Sequence, residues 1–109
     1  SIPNVGSFFK NSIMNIDDIK TNKFLLNQLI LWDIDSMYVK VGSARLIELI
    51  KNEIQKHENV AIYKNHSLVL VTNGKATQKE ILNFAEDIKE KVFEVFNISL
   101  EIEPTVILN

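Results

Sequence analysis

The strongest periodicity in the chain follows Thr77. Ile81, Ala85, Ile88, Val92 and Val95 recur on one side of a 3.6-residue period through Phe96, which predicts an amphipathic helix. Thr77-x-x-Glu80 has the form of a capping box at its start. Asn97 can take the left-handed exit that glycine usually takes. A second helix is predicted from Ser43, a suitable N-cap, to about His57. In it Leu46, Ile47, Ile50 and Ile54 share one face, while Glu48 with Lys51 and Glu53 with Lys56 pair at i,i+3 on the wet side. A third, looser helical spacing runs from about Asp17 to Leu31 through Ile19, Leu26, Leu29 and Ile30. Asp17 and Asp18 suit its positive end, whereas Thr21 and Asn22 weaken it.

Between these lie segments of strand character. Val5, Phe8 and Phe9 suit a strand punctuated by Pro3 and Gly6, and Met37 to Val41 alternates. "NVAIY" and "SLVLV", separated by Lys64-Asn65-His66, read as a hairpin, and Asn73-Gly74 closes its second strand. "SLEIEPTVIL" alternates again as a final strand, with Pro104 at an edge or a strand end. Alternation puts one ring of the Phe8-Phe9 pair in the core and turns the other toward a site. The sum is an α+β domain, a small mostly antiparallel sheet with helices packed on one face.

Composition narrows the function classes. The 109 residues suit a single domain spanning 1–109. A formal net charge of −2 leaves no basic footprint for nucleic acid. No apolar run approaches the ~18 residues of a membrane span, and the first residues lack a charged-then-apolar signal pattern. The absence of cysteine removes disulfides and thiolate chemistry. His57 and His66 are too far apart for a standard local metal motif. Taken alone, Ser7 is an ordinary strand hydroxyl, Glu103 a solvated carboxylate, His66 a turn residue and Trp32 half-buried packing.

In order along the chain, four stretches change that reading. "PNVGSFFKN" resembles the signature of the UDP-N-acetylenolpyruvoylglucosamine reductase family, usually GSFFKNP. "YVKVGSARLIELI" is similar to the family's K-L-S-A-x-W-L-I-E-Q, and "VAIYKNHSLVLVTNGKAT" to its A-V-x-x-x-x-A-L-V-L-V-N-x-G-x-A-T. "VFEVFNISLEIE" resembles V-x-x-x-F-G-I-x-L-E-P-E. The likeness covers nearly the whole chain but only the C-terminal third of that enzyme. It therefore implies an excised or separated substrate domain without the FAD-binding domains. Ser12 replaces a proline, Arg45 a tryptophan, "KHENV" a glycine-rich approach to the hairpin, and LEIEP the usual LEPEV.

The resemblance implies a cytoplasmic oxidoreductase of peptidoglycan precursor synthesis. It reduces UDP-N-acetylglucosamine enolpyruvate to UDP-N-acetylmuramate with FAD and NADPH. This chain alone is expected to bind neither cofactor and to be inactive without the FAD domains. One vinyl carbon receives hydride and its neighbour a proton. By the family pattern the proton comes from the serine of GSFFKN, here Ser7, a hydroxyl being both donor and acceptor. The second acid of L-E-x-E, here Glu103, stabilises charge on the substrate carboxylate, a role that a neutral carboxyl in a closed site can fill. Glu101 is expected to point away from it. Asn11 matches an amide that contacts the substrate diphosphate. His66 stands where the family has a polar substrate contact, and Trp32 where one subclass has a mobile aromatic. A non-enzymatic alternative also fits: a stand-alone α+β module whose exposed face associates with itself or a partner.

Overall fold

The computed structural model describes residues 4–64 and 69–103, with the side chains of 4–7 and 69 left outside that description. Residues 4–15 form a nearly continuous extended spine: β1 (Asn4–Ser7), β2 (Phe9–Lys10) and β3 (Ser12–Asn15). After a long irregular crossing come β4 (Leu31–Asp33), β5 (Tyr38–Val41) and α1 (Ser43–Ile50). The chain continues through β6 (Val60–Ile62), β7 (Val69–Thr72), α2 (Gln78–Phe96) and β8 (Glu101–Ile102). This is the expected α+β class, and its strands divide into three antiparallel ladders, in the orders β1-β7-β6, β2-β8 and β3-β5-β4. The spine gives one strand to each.

The helices close over the ladders through the predicted stripes. Ala85, Ile88, Val92 and Phe96 of α2 and Leu46, Ile47 and Ile50 of α1 are all fully buried, together with Val41, Leu70 and Phe8. The α2 ends follow the sequence closely. Thr77 accepts the Glu80 N–H at 3.1 Å, and Asn97 sits in the left-handed region at φ 60°. Only half of the capping box forms, because the Glu80 carboxylate turns instead to the backbone N–H and side-chain amide of Asn59, at 3.2 and 3.0 Å.

Four expectations fail. The helix expected from Asp17 to Leu31 is reduced to two 3-10 turns, Ile16–Asp18 and Leu26–Gln28. Asn15 takes the Asp17 N–H and Thr21 takes the Lys23 N–H, so side chains compete with the helical ladder. The segment is instead pinned residue by residue. Phe24 stacks on Phe96 at 5.5 Å, Asn97 donates to the Asp18 carbonyl at 2.9 Å, and Lys23 meets Glu53 at 2.6 Å. The helix expected to reach His57 ends at Ile50, followed by a 3-10 turn over Lys51–Glu53, and its cap is Gly42 rather than Ser43. The i,i+3 pair on it is Arg45–Glu48 at 2.8 Å, not those involving Lys51 and Lys56. Among the described residues, no helix is long and apolar enough to cross a membrane.

Asn97 joins a left-handed backbone to a side-chain bond across the fold. Asn97→Ala is expected to destabilise the domain by about 1–2 kcal/mol, from αL strain and the lost hydrogen bond. Asn97→Gly should lose less, because it keeps the backbone conformation. Urea unfolding of the three proteins checks the order.

Candidate active site

The two breaks in the spine fall inside GSFFKN. At Ser7 the chain is still paired with Val69 of β7, and by Phe9 it is paired with Ile102 of β8. Phe8 lies between the ladders, and the register of β1 shifts just before it. Its carbonyl accepts the N–H of Glu103 at 2.7 Å. The backbone of Glu103 is therefore set beside Phe8, the residue after Ser7, although the two lie far apart in sequence. The Ser7 side chain lies outside the described residues; Glu103 is half-buried. Phe8 and Phe9 depart from strict alternation. Both rings are buried, in an edge-to-face contact at 5.4 Å, so neither turns to a site. The irregular backbone at Phe8 is what releases the pair from the pleat.

On the next turn of the pleat Lys10 faces Glu101 at 2.9 Å. The hydrogen bond to Glu101 and the charge of that carboxylate hold the Lys10 ammonium above its usual range, and the charge of Glu103 adds to the effect. Lys10 thus feels both acids. Glu101 does not point away from Glu103 as expected: residues two apart in a strand share a face.

The second break, at Asn11, anchors α1. The Asn11 Oδ1 accepts the Ser43 N–H at 3.0 Å, and the Ser43 hydroxyl, fully buried, donates to the Lys10 carbonyl at 2.6 Å. The Asn11 amide nitrogen meets no partner among the described residues, and Asn11 lines an open hollow of about 520 Å³ with Lys10, Ser12, Asp18, Phe93 and Glu101. Ser12, in place of the family's proline, donates its hydroxyl to the Ser99 carbonyl at 3.0 Å and so ties β3 to the approach to β8. Arg45, in place of the tryptophan, buries a guanidinium Nε that meets no partner among the described residues.

Trp32 lies on the edge strand β4, about half exposed at 49%. Its ring and Ile30 fill the space beside Gly42, where an added Cβ would stand 3.5 and 3.3 Å from them. Across the ladder Trp32 faces Lys40, which in turn faces Ile13, and all three are exposed. Sequence reading passed over Lys40. Its alternation with Val39 and Val41 was the available signal. The β4–β5 turn that presents Trp32 is tied by Asp35, which accepts the Met37 and Tyr38 N–H groups at 2.8 and 2.9 Å and is held below the usual carboxylate range by them. His66 lies outside the described residues, as does Pro104.

A dinucleotide phosphate does not fit the described helix starts. The Ser43 N–H of α1 is already taken by Asn11, and the Gly42 approach is filled by Ile30 and Trp32. At the α2 start the Thr77 hydroxyl already takes the Glu80 N–H, and Glu80 puts a negative charge in the first turn. No cluster of His, Asp and Glu able to hold a metal ion occurs among the described residues.

Residues 1–107 match the family model described as "UDP-N-acetylenolpyruvoylglucosamine reductase, C-terminal domain". Relatives bearing the reductase name include one from Flavobacterium johnsoniae, 36% identical over 95% of this chain and 31% of its own length. One from Polynucleobacter asymbioticus is 35% identical over 97% of this chain and 31% of its own length. One from Buchnera aphidicola is 35% identical over 92% and 29%. The chain spans about a third of the length of the curated relatives it matches.

Ser43→Ala leaves the buried Lys10 carbonyl short of a donor and is expected to cost about 1–3 kcal/mol. Asn11→Ala, which strips the first turn of α1 of its acceptor, should cost about 0.5–2 kcal/mol, both read by thermal unfolding. Asp35 is lowered in the folded state, so its contribution is present above the ordinary aspartate range and is lost as pH falls through its folded value. Trp32, the sole tryptophan, should report this as an acid-side fluorescence change, and Asp35→Asn should remove that step.

Proposed function

This chain belongs to the UDP-N-acetylenolpyruvoylglucosamine reductase C-terminal domain family, and from that premise we propose that it is a substrate-binding and proton-donating domain. The reaction is reduction of UDP-N-acetylglucosamine enolpyruvate to UDP-N-acetylmuramate, in the cytoplasmic stage of peptidoglycan synthesis. FAD and NADPH supply the hydride and belong to the portion of the relatives that this chain does not span. Residues 1–109 then act as one substrate domain that works against those flavin-bearing portions.

Within it, Ser7 and Glu103 are the catalytic pair. As one vinyl carbon of the substrate takes hydride, the Ser7 O–H bond breaks and a C–H bond forms at the neighbouring carbon. The oxygen is then reprotonated from solvent. Such a proton donor must sit within hydrogen-bond reach of the carbon it serves. Glu103 takes the part of stabilising charge on the substrate carboxylate. The observation that carries this reading is the 2.7 Å bond from the Glu103 N–H to the Phe8 carbonyl, which joins the segments that hold Ser7 and Glu103 through their backbones.

Binding falls to the surrounding residues. Asn11 has a donor to spare toward a diphosphate, while its oxygen holds α1. Trp32 offers an exposed ring face, and Lys40 a cation beside it, for the nucleotide end of the substrate. His66 stands in the substrate-contacting set on the strength of the resemblance alone. Lys10 is engaged by Glu101 and serves that carboxylate.

The chain by itself is expected to turn nothing over. Joined behind the N-terminal portion of the Flavobacterium johnsoniae relative, it should support NADPH oxidation that depends on the enolpyruvyl sugar. Ser7→Ala should then lower kcat by about 10²–10⁴-fold, the usual worth of a general acid, with nucleotide-sugar affinity unchanged. Parental turnover in the Ser7→Ala protein rejects the assignment.

A further inference from the structure

The ladder that holds Ser7 runs in the order β1-β7-β6 and so has two edges. The spine forms one of them. The other is β6, two strand spacings or about 10 Å away. Asn73 donates its N–H to the Asn59 carbonyl at 3.2 Å. Antiparallel pairs alternate between bonded and non-bonded. Ala61 is therefore the residue bonded to Val71, and the N–H and C=O groups of Val60 and Ile62 turn outward. Those groups meet no partner among the described residues.

An open cleft of about 370 Å³ runs along this edge and is lined by every residue of β6. Its floor is apolar, made by Ile54, Ile62 and the ring of Phe84, and its rim carries Lys51, Lys56 and Lys64. No lining residue is acidic. None of the three lysines meets a carboxylate among the described residues, where the paired lysines are Lys10, Lys23, Lys89 and Lys91. His57 closes one side, 2.7 Å from Asp87 and edge-on to Phe84. Short strands and lysines keep an exposed edge from pairing with a like one. These lysines surround an apolar floor, so they repel a second copy of the same edge and attract a strand that carries carboxylates.

We propose that β6 is a docking edge for an extended acidic segment of another protein, with apolar residues at two alternate positions. The segment adds to the three-stranded sheet as a fourth strand. Its backbone bonds to the outward groups of Val60 and Ile62, which stand about 7 Å apart along the strand. Its two apolar side chains share that spacing and enter the cleft, and its flanking carboxylates meet Lys51, Lys56 and Lys64. In strand addition the main chain supplies affinity and the side-chain pockets supply specificity. The docking edge uses neither the hollow of Lys10, Asn11 and Phe93 nor the Trp32 face, and it stands whether or not the reductase reading does.

Amide NMR of the isotope-labelled chain, titrated with the peptide Glu-Glu-Val-Thr-Val-Thr-Glu-Glu, tests this. Binding should saturate and weaken at high salt, where exposed charges are screened. The Val60 and Ile62 amides should shift and exchange more slowly with solvent. Two further peptides carry N-methyl groups, one on the valines and one on the threonines. Only one set of nitrogens can face β6, so one peptide should bind about tenfold or more weakly and the other far closer to the parent. Lys51→Glu/Lys56→Glu/Lys64→Glu, its fold verified by circular dichroism, should lose binding. No saturable binding up to the solubility limit of the peptide overturns the proposal. So does equal binding by both methylated peptides, binding that survives the triple substitution, or shifts confined to β1 or the Lys10 hollow. Decanoate binding the cleft as tightly as the peptide overturns it in favour of a small anionic amphiphile. Shifts at Val60 and Ile62 on concentrating the chain alone overturn it in favour of a second copy.

Discussion

Backbone hydrogen bonding along residues 4–15 governs this molecule. Buried amide and carbonyl groups must find partners, and a single extended segment here finds them in three different ladders. At each of the two places where it changes ladder, its own carbonyl or side chain takes a distant N–H from outside the paired strand residues. Phe8 receives Glu103 from the C-terminal strand, and Asn11 receives Ser43 from the start of α1. A motif that looks like a catalytic signature is therefore also the joint on which the sheets and the first helix are assembled. Substitutions in it act on stability as well as on chemistry.

Long, strongly patterned segments were legible from sequence. The α2 stripe, its Thr77 start and its Asn97 exit all appear where the 3.6-residue period puts them, and the β6–β7 pairing follows from two alternating runs. Tertiary competition hid the rest. Between Asp17 and Leu31 the apolar residues have helical spacing, but Asn15 and Thr21 capture backbone donors and Phe24 is drawn to Phe96. The Phe8–Phe9 pair obeys the core rather than the pleat because it straddles a ladder change, which no local pattern encodes. Of the candidate site, the neighbourhood of residues 7 and 103 rested on an ordered likeness to a family, not on periodicity. Lys40 was overlooked because its alternation was spent on assigning the strand.

The departures from the family pattern show how a fold absorbs change. A proline after GSFFKN brings no N–H and no hydroxyl; Ser12 brings both, and its hydroxyl takes up the Ser99 carbonyl. Arg45 is less well accommodated. Its terminal nitrogen reaches Glu48, while its Nε is buried without a partner among the described residues, an arrangement that costs stability. The exchange of an indole for a guanidinium beside α1 leaves the helix in place, since Leu46 and Ile47 carry its burial.

The pairing of β2 with β8 joins residues that lie more than ninety positions apart in sequence. Contacts so distant in sequence close large loops and form slowly. On the ribosome, the GSFFKN segment must wait, with Phe8 and Phe9 uncovered, until the closing strand emerges. Nascent chains of this fold therefore carry a sticky aromatic pair until β8 is made, and chaperones have access to it for as long.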